Sequence, residues 1–244
     1  MPSNEAMIYQ LKKLKGKPLK QKIEHILTYF WTPIVIFLVV VVVIGSFIFR
    51  LATEKDTALN VSCINAYVYG ENAESLVAEF AQKAGIDLNE YNVYISADSI
   101  LSGTDPSTDY YTAQKIAAQI SAHDIDLLVA DVETATGYFY QDVYWDLSQL
   151  LTPQQMTQYT EKLLYVDMAL VRLISEENVE SIQFPDPTKP EKMEEPVPVA
   201  LLLSGNGDFV AEYYPHNRNN VAIGLVVTSE NTKNALAFLE YVMQ

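Results

Sequence analysis

Residues 124–131, DIDLLVAD, place four consecutive apolar residues, Leu127, Leu128, Val129 and Ala130, between acids. A run this short, with no polar alternation, is what a strand covered on both faces looks like, because each successive side chain must find apolar packing on opposite sides. Working outward, the pattern repeats. Upstream, residues 108–122 read as a helix carrying Tyr111, Ile116, Ala117 and Ile120 on one side, and residues 91–96, YNVYIS, as a strand. Residues 71–84 put Leu76, Val77, Phe80 and Ala84 on one helical face, and Gly85 follows where a left-handed C-terminal residue belongs. Residues 59–69, LNVSCINAYVY, read as the first strand, ending at Gly70. Strand and helix alternating at these lengths imply right-handed crossovers and a three-layer α/β domain with a mostly parallel sheet.

Downstream, Thr152 and Gln155 have capping-box spacing with Pro153 at the first helical position, so a helix starts there. Residues 165–174 read equally as strand or continued helix. Residues 184–198 hold five prolines and many charges, which predicts an irregular surface excursion. VPVALLLS and VAIGLVVT then read as two apolar strands separated by the polar NGDFVAEYYPHNRNN, and residues 231–243 as a closing helix with Ala235, Leu236, Phe238, Leu239 and Val242 inward.

Ahead of the domain, residues 30–49, FWTPIVIFLVVVVVIGSFIF, pass from Phe30 to Phe49 without a charge. At about 1.5 Å per residue, twenty residues match a hydrocarbon core of roughly 30 Å, so the expectation is one transmembrane helix whose partner is the lipid bilayer. The charge divides around it. Residues 1–29 carry six lysines against Glu5 and Glu24, whereas beyond Arg50 nine basic residues face 29 acidic ones. Lysine beside a span marks the cytoplasmic side, which predicts a single-pass protein of the cell membrane with its N-terminus inside and the acidic domain outside. The expected segments are a basic tail over 1–29, the span over 30–51, a spacer over 52–58 and the α/β domain over 59–244. An acidic domain offers no clustered cations for phosphates, which argues against nucleic acid. The single cysteine, Cys63, excludes an internal disulfide and is expected to point into the core from its strand.

DIDLLVAD, followed by ETATGYFYQDVYWDLSQLL, resembles bacterial extracellular solute-binding proteins, the periplasmic binding protein type II-like class. In that class a helix leads into a G-D-x-D-hydrophobic strand; here His123 stands at the glycine position. The ending VAIGLVVTSENTKNALAFLEYVMQ is similar as well, a returning strand followed by a helix reading A-x-x-F-L-x-Y/F-hydrophobic. The resemblance implies one lobe of such a protein, membrane-anchored and reduced, since the 193 residues beyond Leu51 are too few for two lobes. It implies binding of a small solute or envelope component, with a transporter or other envelope protein as a further partner. The alternative is a structural or assembly module that interacts with proteins and has lost its ligand.

Ligands of open parallel sheets bind beyond the carboxyl ends of strands. That rule picks out Tyr69 and Gly70, Asp98 and Ser99, Asp131 and Glu133, and Ser204 as candidate ligand-binding residues. The same residue types cap helices and turn loops, so both readings stand. His123, Asp124 and Asp126 lack the further ligands a metal needs and read as solvated strand ends, and no cofactor is implied. Tyr138, Phe139, Tyr140, Tyr144 and Trp145 line a groove or fill the core. No G-x-S-x-G, H-E-x-x-H, S-x-x-K, Walker or G-x-G-x-x-G motif is present, and the expectation is a non-catalytic protein.

Overall fold

The computed structural model describes residues 18–68, 72–101, 103–176, 183–203 and 207–244, with side chains at 22, 25–30, 33, 51, 52, 72 and 73 outside the description. The chain divides into two compact units, Met1–Glu54 and Lys55–Gln244. The first contains α1, Leu19–Thr53, a helix of 35 residues that contains the whole apolar run. It begins directly after Pro18 and passes through Pro33, rather than starting at the apolar run, and it extends past Leu51 to Thr53. The Thr53 hydroxyl donates to the Phe49 carbonyl at 2.8 Å. Among the described residues no helix is long and apolar enough to cross a membrane. The unbroken run of described side chains in α1 is 34–50.

Among the described residues, the second unit is built on six strands, β1 Asp56–Ile64, β2 Tyr91–Ser99, β3 Leu127–Asp131, β4 Leu163–Asp167, β5 Pro196–Leu203 and β6 Val221–Leu225, in the order β2-β1-β3-β6-β5-β4. β1 pairs in parallel with β2 and β3. β6 runs back antiparallel beside β3, and β5 and β4 continue the antiparallel half. The sheet is therefore mixed. The expected parallel pairing holds for β1 to β3, where a helix returns the chain after each strand. It does not hold for β4 to β6, where β5 and β6 are joined by the connection 204–220 without crossing the sheet.

Among the described residues, eight helices of the second unit cover both faces: α2 Asn72–Ala84, α3 Pro106–Ser121, α4 Val132–Phe139, α5 Leu147–Leu150, α6 Pro153–Gln158, α7 Met168–Glu176, α8 Asp208–Tyr213 and α9 Thr232–Val242. Alternation along β3 explains the layering. Leu127 and Val129 join a core with Phe80 of α2, Phe209 of α8 and Phe238 of α9, while Leu128 and Ala130 join another with Ile116 of α3, Phe139 of α4 and Val171 of α7. Phe238 meets the rings of Phe80 at 5.0 Å and Phe209 at 5.6 Å, both edge-on. Cys63 is fully buried, and burial pushes its thiol up, so it packs as a small apolar residue.

Helix ends follow local chemistry. Gly85, at φ +70, closes α2, with its N–H on the Gln82 carbonyl and the Ile86 N–H on Ala81. His123 closes α3 in the same way, at φ 62, with the Asp124 N–H on Gln119. This left-handed backbone is the reason glycine suits that position. The α6 capping box forms as expected, with Pro153 in the first turn.

Three sequence readings change. β1 ends at Ile64, not Tyr69, because Asn65 adopts φ 57 and turns the chain out of the sheet. The polar stretch between β5 and β6 contains α8, whose Phe209, Val210 and Tyr213 are buried. Residues 165–174 divide into β4 and α7 at Asp167. The proline-rich excursion lies along the edge strand β4: the Tyr165 N–H donates to the Pro187 carbonyl at 2.8 Å, and Phe184 stacks on Tyr140 at 4.3 Å. Proline supplies acceptors but no donors, so the excursion covers this edge up to Glu195 without extending the sheet, whereas its last residues, 196–198, expected as irregular, belong to β5 and pair with β4.

Candidate functional site

The carboxyl ends of β1, β2 and β3 form the rim where the strand-order rule places a ligand. Its centre is occupied by Asn65. The Asn65 side-chain amide donates to Asp131 Oδ2 at 2.9 Å and lies 3.3 Å from the Thr134 hydroxyl, while its carbonyl accepts the Leu101 N–H at 2.8 Å. Its backbone N–H donates to the Ser99 carbonyl. Below it, the buried Tyr214 hydroxyl lies 2.9 Å from the Ile64 carbonyl and 3.0 Å from that of Val129, and burial, with Cys63 and Asp131 nearby, pushes its pKa up.

Each candidate at this rim has a local task. Asp131 caps α4, taking the Thr134 N–H at 2.9 Å on Oδ1. Its other oxygen takes Asn65 and the Thr134 hydroxyl. Asp98 is exposed and pairs with Lys115 at 2.6 Å, which holds its carboxyl below the usual range. Ser99 is buried, and Glu133 is exposed. The structure thus brings Asp131 and Ser99 together through Asn65 and leaves Asp98 and Glu133 on the surface. Tyr69, Gly70 and Ser204 lie outside the described residues.

Asp126 also departs from expectation. It is 1 % exposed, not a solvated strand end. Its carboxylate accepts the Asn60 N–H at 2.8 Å and the Ser229 hydroxyl at 2.7 Å, and the Asn231 amide lies at 3.3 Å. It fastens β1 to the turn that leads into α9. Asp124 is exposed, and His123 Nδ1 sits 3.3 Å from Glu230. Among the described residues no group of three or more His, Cys, Asp or Glu side chains could hold a metal ion.

A groove opens elsewhere, at the opposite end of the sheet and over its antiparallel half. It has a volume of about 340 Å³ and is floored by Val166 of β4, Val197 and Val199 of β5, and Val227 beyond β6. The end of α4, at Phe139, and the connection to α5, through Tyr144 and Trp145, supply its aromatic side, with Asp142, Asp146 and Gln149 adding polar groups. That connection is pinned to the sheet: Tyr144 bridges Val226, and the Trp145 N–H donates to the Leu225 carbonyl at 2.9 Å. Phe139 and Tyr144 meet edge-on at 5.3 Å. Gly224 makes this possible, since a Cβ there would stand 2.2 Å from the Tyr144 ring and 2.9 Å from the Val199 carbonyl.

The Tyr144 hydroxyl and the Trp145 indole N–H are closed off from solvent and have no hydrogen-bond partner among the described residues. Burial pushes the Tyr144 hydroxyl up, with Tyr138 adding to the effect, so it keeps its proton at neutral pH. Asp146 is engaged locally, accepting from the Ser148 N–H and from Gln149. Asp142 is exposed and held at φ 56. A second cavity, about 350 Å³ between α2, α8 and α9, is lined by Glu79, Asp208 and Glu212 and has the character of a solvated acidic surface.

The sequence named the aromatic cluster as a groove or as core, and it is both: Tyr138 and Tyr140 are core, while Phe139, Tyr144 and Trp145 reach the groove. Sequence reasoning missed Asn65 and Gly224. The available signals were an asparagine inside a strand-like run and a lone glycine inside an apolar one. Compared with protein-family models, curated proteins and solved structures, the chain gives no match.

Proposed function

We propose that this chain is a single-pass, membrane-anchored, non-catalytic binding domain, similar to one lobe of a bacterial extracellular solute-binding protein. Its binding surface is the groove beside Tyr144 rather than the strand-end rim. The observation that carries this reading is the preformed groove itself, about 340 Å³, lined by valines and aromatic rings with Asp142, Asp146 and Gln149 beside them. A concave, largely apolar lining with a few polar side chains is the usual form of a small-ligand site.

The anchor is supported by the backbone of α1, helical through all of residues 30–49. Side chains from Ile36 to Phe49 stand exposed around it, a surface that is costly in water and stable in lipid. The likeness to one lobe is supported by β6, which returns antiparallel beside β3 ahead of α9, as the resemblance implies. The non-catalytic reading is supported by the way acidic side chains are engaged: Asp126, Asp131 and Asp167 each hold backbone N–H groups of their own fold.

A second reading, an assembly module that docks another envelope protein, is favoured by the strand-end rim, which Asn65 and Asp131 knit together. Two measurements on the full chain in lipid nanodiscs and in cells separate the readings. Thermal unfolding against sugars, amino acids, oligopeptides, amines and divalent metals should show a shift; a solute at 100 times its dissociation constant stabilises by about 2.7 kcal/mol. Photocrosslinking from exposed Gln149 at the groove should yield no protein adduct. Silence across the panel with a discrete protein adduct would overturn solute binding in favour of docking.

A further inference from the structure

The two edges of the sheet are finished differently. β4 is covered: the Tyr165 N–H donates to the Pro187 carbonyl, and the Asp167 carboxylate holds the Glu194 and Glu195 N–H groups. β2, at the other end of the strand order, pairs with β1 alone among the described residues. Native sheets blunt a bare edge with lysine, proline or a bulge, because its free N–H and C=O groups accept a further strand. Residues 91–97, YNVYISA, hold no proline and no charge, and β2 carries no extra residue between Tyr91 and Ser96. Tyr91 is 41 % exposed and Tyr94 49 %. Val93 and Ile95 pack toward the core that holds Phe80, so alternation sets Asn92, Tyr94 and Ser96 on the opposite face.

We propose that this edge joins two copies of the chain, β2 against β2, antiparallel about a two-fold axis at Tyr94. The charge pattern fits a second copy. At a net charge of −15 one copy repels another, except where the approaching surface is free of charge, as residues 91–97 are. A basic foreign strand would find no carboxylate to pair with along the same residues. In this register Asn92 faces Ser96, Val93 faces Ile95 and each Tyr94 meets its twin, so no like charges stand opposite within the pairing. At either end Glu90 of one copy approaches Asp98 of the other, and Lys115, 2.6 Å from Asp98, supplies the cation between the two acids. Because β4 is covered, each copy has one edge to offer, and the assembly closes at two instead of growing into a filament. The pairing is remote from the groove beside Tyr144, so it goes beyond the binding reading and holds whether or not the groove takes a solute.

The full chain in detergent micelles, sedimented at micromolar concentration, should be a dimer. Tyr94→Lys and Tyr94→Glu should each weaken dimerisation at least about tenfold, since each sets like charges opposite one another at the axis. Mixing the two variants should restore a dimer, which separates loss of the edge from loss of the fold. In membranes, Tyr94→Cys should give a disulfide-linked dimer on oxidation with copper–phenanthroline, because directly opposed strand residues lie at the right spacing. The parent chain, whose Cys63 is buried, should not, nor should Glu161→Cys, an exposed position beside the covered edge.

A monomer at every concentration, with no Tyr94→Cys crosslink in membranes, would overturn the proposal. So would a dimer that both charged variants leave intact, which would be held by another surface such as α1, or a failure of the mixed variants to associate.

Discussion

His123 and Asp126, three residues apart, show opposite ways in which a side chain answers to its surroundings. His123 occupies a left-handed backbone position that costs an L-residue with a Cβ about 1–2 kcal/mol. Its exposed pairing with Glu230 returns little of that. His123→Gly should therefore stabilise the domain by about 1 kcal/mol, read as a higher urea midpoint with unchanged slope; a lower midpoint would mean the imidazole is needed. Asp126 is the reverse case, a buried carboxylate whose charge is met by donors from Asn60, Ser229 and Asn231. Asp126→Ala should cost about 3 kcal/mol, because it strands those donors in a dry site. A loss below about 0.5 kcal/mol would show that water replaces the carboxylate. The left-handed cap at His123 was legible as the glycine position of a motif. Burial of Asp126 was not, since an acid beside an apolar run reads as a strand end until the turn after β6 is placed on it.

The edge strand β4 depends on a single junction. The Asp167 carboxylate accepts the N–H groups of Glu194 at 2.9 Å, Glu195 at 3.0 Å and Ala169 at 3.2 Å, tying β4, the start of α7 and the lead into β5 together. Burial alone would raise its pKa, but the backbone N–H groups of Glu194 and Glu195, with those of Ala169 and Leu170, outweigh it and hold the carboxyl below its usual value. A carboxylate depressed in the folded state stabilises at pH above its unfolded pKa of about 3.9, and that contribution is lost as pH falls through the lower folded value. Asp167→Asn should lower the melting temperature at pH 7, with a loss on the order of 1–2 kcal/mol, and the gap to the parent should close as pH drops below about 4. A gap that stays constant with pH would assign the loss to packing instead. The proline content of 184–198 made an irregular segment legible; its role in covering β4 was not, because nothing local names the strand it lies against.

Across the whole molecule, the proposed orientation rests on a basic leader, the uncharged run 30–49 within α1 and an acidic domain. A reporter fused after Gln244 that is active only outside the cytoplasm, with the chain retained in membranes after alkaline extraction, is the expected outcome; activity inside would overturn the orientation, and release into the soluble fraction would overturn the anchor. Periodicity and length were enough to establish an α/β domain, a doubly covered β3 and the helix ends at Gly85, His123 and Thr152, because those features arise from contacts within one turn or one strand. Pairing direction, the closure of the rim by Asn65 and the opening of a groove beside Tyr144 were decided only in three dimensions. Each of them depends on residues some 35 to 80 positions apart meeting across the sheet, such as Asn65 with Leu101 and Asp131, and Tyr144 with Gly224. Local chemistry chooses elements; which elements become neighbours is set by how a limited apolar surface can be buried all at once.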